Sequence, residues 1–197
     1  MKKLLLLFGL LLCFNYSAFA TTLSGNLTVD NQFYAYISSN DSFTGTLIAQ
    51  GNSWGSTWSL KEVLTPNTTN YLHIIGVNWG GPASFIGDFS LSDKGAKFQN
   101  GSQNLLTDTI DWTTYFGGFG SGLTKTVNYG TNGVGPWGFR SDINANADWI
   151  WTPDYYGSYA YFSTAITPTQ APVPEPATML LLGIGLVGLA ARRRMKK

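Results

Sequence analysis

The sequence predicts an all-β fold in which one antiparallel β-sandwich occupies residues 21–167. Apolar and polar residues alternate over many short segments, as they do in strands with one buried face. Gly, Asn, Asp and Pro, which favour turns, separate these segments. No segment of three helical turns has an apolar face with helical spacing. Many short strands at such intervals are typical of a sandwich, and a jelly roll is the arrangement we expect.

The first predicted strand follows from strict alternation after residue 22. One face of this strand carries Leu23, Gly25, Leu27 and Val29, and the other carries Ser24, Asn26, Thr28 and Asp30. Segment 83–91 alternates in the same way, with Ile86 as the exception. Segment 71–79 is apolar on both faces, which is typical of a central strand.

Further strands are predicted from runs that are rich in aromatic and β-branched residues. These runs span 33–37, 46–50, 57–64, 149–152 and 158–166. Segment 117–138 contains eight glycines. Because glycine weakens regular packed elements, this segment is expected to form a long loop or an irregular strand pair.

The first 20 residues have the pattern of a secretion signal peptide. Two lysines precede an apolar run over residues 4–14, which is much shorter than the roughly 20 residues that span a bilayer. The small residues that signal peptidase reads are Ala18 and Ala20. We therefore predict cleavage by signal peptidase before Thr21. The only cysteine, Cys13, is removed with the signal, so the exported part contains no disulfide.

The C-terminal part of the chain has three consecutive segments. A Pro-rich linker over 168–176 ends in Pro-Glu-Pro, an uncharged apolar segment covers 177–191, and a basic tail covers 192–197. The prolines hold the chain extended, the apolar segment suits a membrane-inserted helix, and the basic tail resists translocation and stays cytoplasmic. The motif and the basic cluster consist of Val173, Pro174, Glu175, Pro176, Arg192, Arg193 and Arg194.

This three-part end resembles the PEP-CTERM sorting signal, which exosortases process in Gram-negative bacteria that also make exopolysaccharide. The resemblance implies that Pro174, Glu175 and Pro176 are recognised by the processing enzyme and have no catalytic role. It also implies export through the inner membrane, a transient membrane anchor, and a final location in the periplasm, on the outer surface or in the extracellular matrix of a biofilm. The alternative is a permanent tail anchor, for which 177–191 is short.

Composition restricts the function of the middle domain. Between residues 21 and 171 there are five basic and ten acidic residues, which gives a net charge of −5. So few basic residues are a poor match for phosphate backbones, and we expect no nucleic-acid binding. All seven tryptophans lie in this region. Low charge with many aromatic, hydroxyl and amide side chains is typical of exported β-domains and also suits the binding of neutral sugars.

Three stretches of the middle domain combine aromatic strand residues with Asn, Asp and Gly. They are residues 30–37, 70–85 and 149–163. Together they resemble the galactose-binding-like jelly rolls that occur as accessory modules of bacterial glycosidases and in surface proteins. The resemblance implies a structural calcium ion near a strand-to-loop junction, which here contains Asp30 and Asn31. Turn capping is the alternative role for the same pair.

Four tryptophans are candidates for stacking against a polysaccharide ligand, namely Trp54, Trp58, Trp79 and Trp137. Trp54 and Trp137 lie in loops rich in Gly, Ser and Pro, and the other two lie near strand ends. Loops on a rigid sandwich commonly carry function. For Trp58 and Trp79 the alternative is a position in the core.

The sequence contains no convincing set of catalytic residues. Its close acidic pairs, Asp108 with Asp111 and Asp88 with Asp93, stand beside residues that are typical of turns. The single histidine, His73, lies in a predicted strand without a nucleophile motif nearby. We therefore expect a non-enzymatic protein without a cofactor. A small secreted carbohydrate-active enzyme and a purely structural or adhesive subunit are the alternatives.

Overall fold

A computed structural model of the chain describes residues 20–169 and 184–185. The described residues form thirteen strands. In chain order these are β1 (Thr22–Asp30), β2 (Gln32–Ser38), β3 (Thr46–Gly51), β4 (Trp58–Val63), β5 (Asn70–Val77), β6 (Ser84–Leu91), β7 (Ala96–Phe98), β8 (Asn104–Leu106), β9 (Thr113–Tyr115), β10 (Leu123–Thr124), β11 (Val127–Thr131), β12 (Asp148–Trp151) and β13 (Tyr159–Pro168).

The strands form two antiparallel sheets that pack as a sandwich. The first sheet has the order β11-β12-β6-β1-β4, and β8 also pairs with β6. The second sheet has the order β10-β9-β13-β5-β2-β3, and β7 also pairs with β13. The predicted antiparallel β-sandwich is therefore confirmed. Its assignment to the galactose-binding-like type stays a prediction.

The core lies between the sheets and follows the alternation of the sequence. Leu23, Leu27 and Val29 of β1 are buried against residues of the second sheet such as Phe162. Gly25 occupies the same face, where a Cβ atom would lie 2.3 Å from the Phe89 ring of the neighbouring strand. The missing side chain lets that ring cover β1, so the small residue is required by packing.

A second apolar cluster lies on the outer face of the first sheet and explains why Ile86 breaks the alternation of β6. Segment 132–149 folds across this face and buries Ile86 beneath it. The cluster consists of Ile86, Trp137, Ile143, Ala147 and Trp149. Part of the glycine-rich segment 117–138 is thus packed, and it contributes β10 to the second sheet and β11 to the first. The segment was expected to form a long loop or an irregular strand pair rather than a packed element, whereas its strands pair with β9 and β12 and its Trp137 packs on the first sheet.

The eight individually predicted strands are all present, but five short ones were missed. These are β7, β8 and β9, each of three residues, together with β10 and β11 of the glycine-rich segment. Of the predicted membrane-inserted segment 177–191, only residues 184–185 are described. Within the described residues, no helix has the length and apolar character needed to cross a membrane. Residues 1–19, which include Ala18 of the predicted cleavage site, lie outside the described part of the chain. Ala20 is described and is exposed.

The sandwich has two chemically different ends. At the terminal end, loop 92–95 binds both chain ends of the domain: the Thr21 hydroxyl donates to Asp93 Oδ1 at 2.9 Å, and the Thr169 N–H donates to the Gly95 carbonyl at 2.9 Å. Strand β1 runs from this end to the opposite, distal end. Nine residues in a strand extend about 26 Å. The distal end includes the β1–β2 turn, loop 78–83 and loop 152–158.

Candidate functional site

The distal end is held together by backbone hydrogen bonds between its three connections. The Asn78 N–H donates to the Ser158 carbonyl at 2.8 Å, and the Asn31 N–H donates to the Val77 carbonyl at 2.8 Å. The Ala83 N–H donates to the Tyr155 carbonyl at 2.9 Å. Because these bonds join segments distant in sequence, the three connections form one rigid surface.

A buried amide organises loop 78–83 from within. The Asn78 side chain, 6% exposed, donates from Nδ2 to the Gly81 carbonyl at 3.0 Å and to the Tyr156 carbonyl at 3.3 Å. Its Oδ1 accepts from the Gly80 N–H at 2.9 Å. Gly80 and Gly81 have φ angles of 132° and 82°, which only glycine adopts without strain. One side chain and two glycines therefore fix the loop conformation.

Three aromatic side chains project from this rigid end into solvent. Trp79 is 64% exposed, Tyr156 is 66% exposed and Tyr159 is 53% exposed. The Trp79 N–H is held by Asn31 Oδ1 at 2.7 Å, and Tyr159 begins β13 opposite Val77. We call Trp79, Tyr156 and Tyr159 the aromatic rim. Exposed Trp and Tyr rings combine an apolar face with a hydrogen-bonding edge, which suits stacking on a partly polar ligand.

The four predicted tryptophans differ in their surroundings. Trp79 belongs to the aromatic rim, and Trp54 is 37% exposed with the Arg140 guanidinium 5.3 Å from its ring centroid. Trp58 is half-buried and packs against the core, which is the alternative that the sequence allowed for it. Trp137 was expected in an exposed loop but is only 2% exposed. It is buried because segment 132–149 packs on the first sheet, where the Trp137 ring stacks on Trp149 with centroids 4.9 Å apart.

Asp30 and Asn31 lie at the distal end as the sequence suggested, but their oxygens are mostly engaged. Asp30 Oδ2 accepts from Trp137 Nε1 at 2.9 Å, and Asn31 Oδ1 holds the Trp79 N–H. Burial raises the pKa of Asp30, and the Trp137 bond partly opposes that rise. Calcium needs six to eight oxygen ligands. Asp30 Oδ1 is the one side-chain oxygen of the pair without a partner in the described chain, so the pair alone does not fit calcium.

His73 forms a buried polar cluster on the outer face of the second sheet. Its Nε2 lies 3.3 Å from Asp41 Oδ1, and its Nδ1 lies 3.3 Å from the Thr44 carbonyl. Burial lowers the pKa of His73, while Asp41 opposes that change. The Ser163 hydroxyl donates to the same Asp41 oxygen. A nucleophilic serine needs its base within hydrogen-bonding reach, whereas here the carboxylate stands between serine and histidine.

The acidic residues considered as catalytic pairs serve turns and loops. Asp108 Oδ1 accepts from the backbone N–H groups of Ile110 and Asp111 at 2.8 and 2.6 Å. Asp88 Oδ2 accepts from the Asn144 N–H at 2.8 Å, and Asp93 Oδ1 accepts from the Gly95 N–H at 2.7 Å. Within the described residues, no three His, Cys, Asp or Glu side chains are grouped to hold a metal ion.

The tyrosines of the second sheet were not recognised from the sequence. Strand alternation and register place several of them on its outer face, in rows that cross the sheet. They are Tyr34, Tyr36, Tyr71, Tyr115, Tyr159 and Tyr161. The signal was present as tyrosine at every second position in 34–36 and 159–161. Of these six, Tyr159 reaches the distal end and is the most exposed.

Similarity to a known protein family lies in the chain beyond the terminal end of the domain. Residues 172–194 match the PEP-CTERM protein-sorting motif. The chain carries a PEP-CTERM sorting motif. The motif indicates export, processing by an exosortase after transient membrane anchoring, and a surface or extracellular location. Apart from residues 184–185, the residues of the motif, Glu175 among them, lie outside the described part of the chain.

No curated protein and no solved structure matches the chain. The sorting motif covers 23 residues. It indicates where the protein is sent, and the activity of the sandwich has to be inferred from the structure of the domain.

Proposed function

We propose that this protein is a non-enzymatic surface or matrix protein whose sandwich binds saccharides at the aromatic rim and associates with exopolysaccharide in a biofilm. The sorting motif supports the location. The rim supports the binding activity, because three exposed aromatic rings lie at the same end of the sandwich, where hydrogen bonds join its connections.

The observation that carries the proposal is the opposite placement of the rim and the chain ends. Thr21 and Thr169 meet at loop 92–95, and the sorting motif follows shortly after Thr169. The rim lies at the other end of strands that extend about 26 Å. A chain held at its C-terminal segment therefore presents the rim away from the membrane, where a surface polymer is accessible.

The chemistry of the rim favours a neutral saccharide. The apolar faces of Trp79, Tyr156 and Tyr159 can stack on sugar rings, and the tyrosine hydroxyls can bond to sugar hydroxyls. Their loops are fixed by Asn78 before any ligand arrives, so little conformational entropy is lost on binding. The net charge of −5 over residues 21–171 disfavours polyanions.

A structural or adhesive role is the second candidate, and one observation favours it. Phe116 and Leu123 flank a tight loop and are 65% and 71% exposed. The Phe116 N–H donates to the Gly122 carbonyl at 3.0 Å, which closes that loop. Exposed apolar side chains brought together in this way suit self-association. An enzymatic role has less support, because the acidic side chains described above accept hydrogen bonds from turns.

The test compares two variants of the exported protein. Trp79→Ala removes a rim ring, and Phe43→Ala removes an equally exposed ring from loop 39–45, which leaves β2 at the end opposite the rim. In pull-downs with neutral exopolysaccharides and in fluorescence titrations, we expect Trp79→Ala to weaken binding at least tenfold, about 1.4 kcal/mol. Phe43→Ala should bind normally. Equal losses in both variants, or no saccharide binding by the parent protein, would refute the proposal.

Turnover of a soluble glycan that disappears when one acidic pair is mutated would instead support the enzymatic alternative. Concentration-dependent self-association that is lost in Phe116→Ala, without saccharide binding, would support the adhesive one.

A further inference from the structure

The outer face of the first sheet carries a regular arrangement of polar side chains next to the covered Ile86 cluster. Cross-strand register arranges them in two rows across β4, β1, β6 and β8. The first row consists of Lys61, Ser24, Ser90 and Asn104, and the second row consists of Ser59, Asn26, Asp88 and Leu106. These residues line a groove with a volume of about 450 Å³. That volume lies within the range of ligand sites, roughly 300–1,000 Å³.

The two rows differ in how far their polar groups are engaged. In the second row the Ser59 hydroxyl donates to Asn26 Oδ1 at 2.8 Å, and Asn26 Nδ2 donates to the Asp142 carbonyl at 2.8 Å. Asp88 Oδ2 accepts from the Asn144 N–H. These bonds tie the groove to segment 132–149 and make it rigid. Among the described residues, the first-row side chains have no hydrogen-bond partner, and Lys61 forms no salt bridge.

We propose that this groove binds a neutral, hydroxyl-rich chain, an unbranched saccharide, lying across the strands of the first sheet. Neighbouring strands are about 4.8 Å apart, so the first row offers a hydrogen-bonding side chain at each step across the sheet. The proposal rests on the saccharide class of the proposed function but uses a surface distinct from the aromatic rim.

Charge selects a neutral occupant. The groove has one ammonium group, Lys61, and one carboxylate, Asp88, which balance each other. The remaining polar groups are hydroxyls and amides, which both donate and accept hydrogen bonds as sugar hydroxyls do. The domain is acidic as a whole, so a polyanion is repelled before it reaches the single lysine.

The backbone beneath the groove argues against an extended peptide as the occupant. Peptides that dock on sheets commonly add a strand to an open edge. Strands β1 and β6 are central in the first sheet and pair on both sides. The groove floor therefore offers side chains, and apart from Lys61 and Leu106 those of the two rows are short and polar.

The experiment uses the exported protein with cellohexaose, maltohexaose and hexagalacturonic acid as probes. Lys61→Met combined with Ser90→Val removes the ammonium and one hydroxyl while keeping residues compatible with a strand. Lys97→Met, an exposed lysine of β7, is the matched control. We expect the double variant to raise the Kd for at least one neutral hexasaccharide tenfold or more, with an unchanged melting temperature and with normal binding by the control.

Trp79→Ala, measured in parallel, separates the two sites. If the groove variant loses saccharide binding and Trp79→Ala does not, the groove is supported as the binding site and the rim is refuted. Losses in Trp79→Ala with normal binding by the groove variant would refute the groove and leave the proposed function intact. Tighter binding of hexagalacturonic acid than of either neutral hexasaccharide would also refute the groove proposal, and no binding of any neutral probe would refute both.

Discussion

The two ends of the sandwich use similar polar residues but expose different surfaces. At the terminal end, Thr21 is 5% exposed and its hydroxyl bonds to Asp93, so the side chains there satisfy one another. At the distal end, Asn78 satisfies the backbone of its own loop and leaves Trp79 uncovered. The difference teaches that hydrogen bonds can satisfy the side chains at one end and hold an aromatic side chain exposed at the other.

The largest expected effect concerns the buried support of the distal end. Trp137→Ala removes the ring that stacks on Trp149 and the N–H that bonds to Asp30. A cavity and an unpaired buried carboxylate result, so we expect a loss of about 3–5 kcal/mol in unfolding free energy. Urea denaturation measures this loss. Trp79→Ala is the control and should change stability by less than about 0.5 kcal/mol.

Asn78→Ala tests whether the rim depends on its buried amide. The change leaves the Gly80 N–H and the carbonyls of Gly81 and Tyr156 without their side-chain partner. We expect a destabilisation of about 1–3 kcal/mol and weaker saccharide binding although every rim ring remains. Thermal unfolding and glycan titration measure the two effects. Normal binding by a destabilised variant would show that the rim is organised by its backbone alone.

Asp30 and Asp93 give the ends opposite pH dependence. Burial raises the pKa of Asp30, so on acidification this carboxylate is protonated at a higher pH in the folded state than in the unfolded state. Asp30 therefore destabilises the fold at neutral pH, and this destabilisation decreases as pH falls through the raised pKa. The Gly95 N–H, with the Ser92 and Thr21 hydroxyls, lowers the pKa of Asp93. The contribution of Asp93 is present above its unfolded-state pKa and is lost as pH falls through the lowered value.

Asp30→Asn should therefore raise the melting temperature at neutral pH, because it removes a buried charge, and the gain should shrink as pH falls toward about 4. Asp93→Asn should lower the melting temperature at neutral pH and have little effect below about pH 3. Each shift is expected to be a few degrees, since about 1 kcal/mol moves the midpoint by about 2–4 °C in a domain of this size. If both variants shifted the melting temperature in the same direction, the opposite pH dependence assigned to the two ends would be contradicted.

The smallest effect is expected at the terminal end. Thr21→Val keeps the buried shape and removes the hydroxyl that bonds to Asp93. Because Asp93 keeps its bonds from Gly95 and Ser92, the loss should be about 0.5–1.5 kcal/mol. Saccharide binding should stay normal. A change in binding would show that the two ends are coupled.

The long strands could be predicted from the sequence because their cores alternate locally. Leu23, Leu27 and Val29 define β1 without reference to the rest of the chain. The three-residue strands β7 and β9 could not be predicted, since both form by pairing with distant β13. These two segments become strands because β13 offers a partner, and they have no periodic pattern of their own that would predict a strand.

The same dependence on contacts distant in sequence explains which parts of the candidate site could not be predicted. Trp137 stands among glycines, and nothing local shows that segment 132–149 covers the first sheet and buries it. The rows of the groove are also invisible in the sequence, because Lys61, Ser24 and Ser90 become neighbours only through strand register. The exposure of Trp79, by contrast, follows from its position just beyond β5 beside two glycines.

The position of Thr169 has a mechanical consequence. Strand β13 begins at Tyr159 in the rim and runs ten residues to Pro168, one residue before Thr169. Tension between a polymer held at the rim and a tether beyond Thr169 would act along this strand. Its eight paired positions with β5 would then be loaded together in shear. Under the proposed function, a domain loaded in this direction resists extension far better than one whose strands are peeled apart singly.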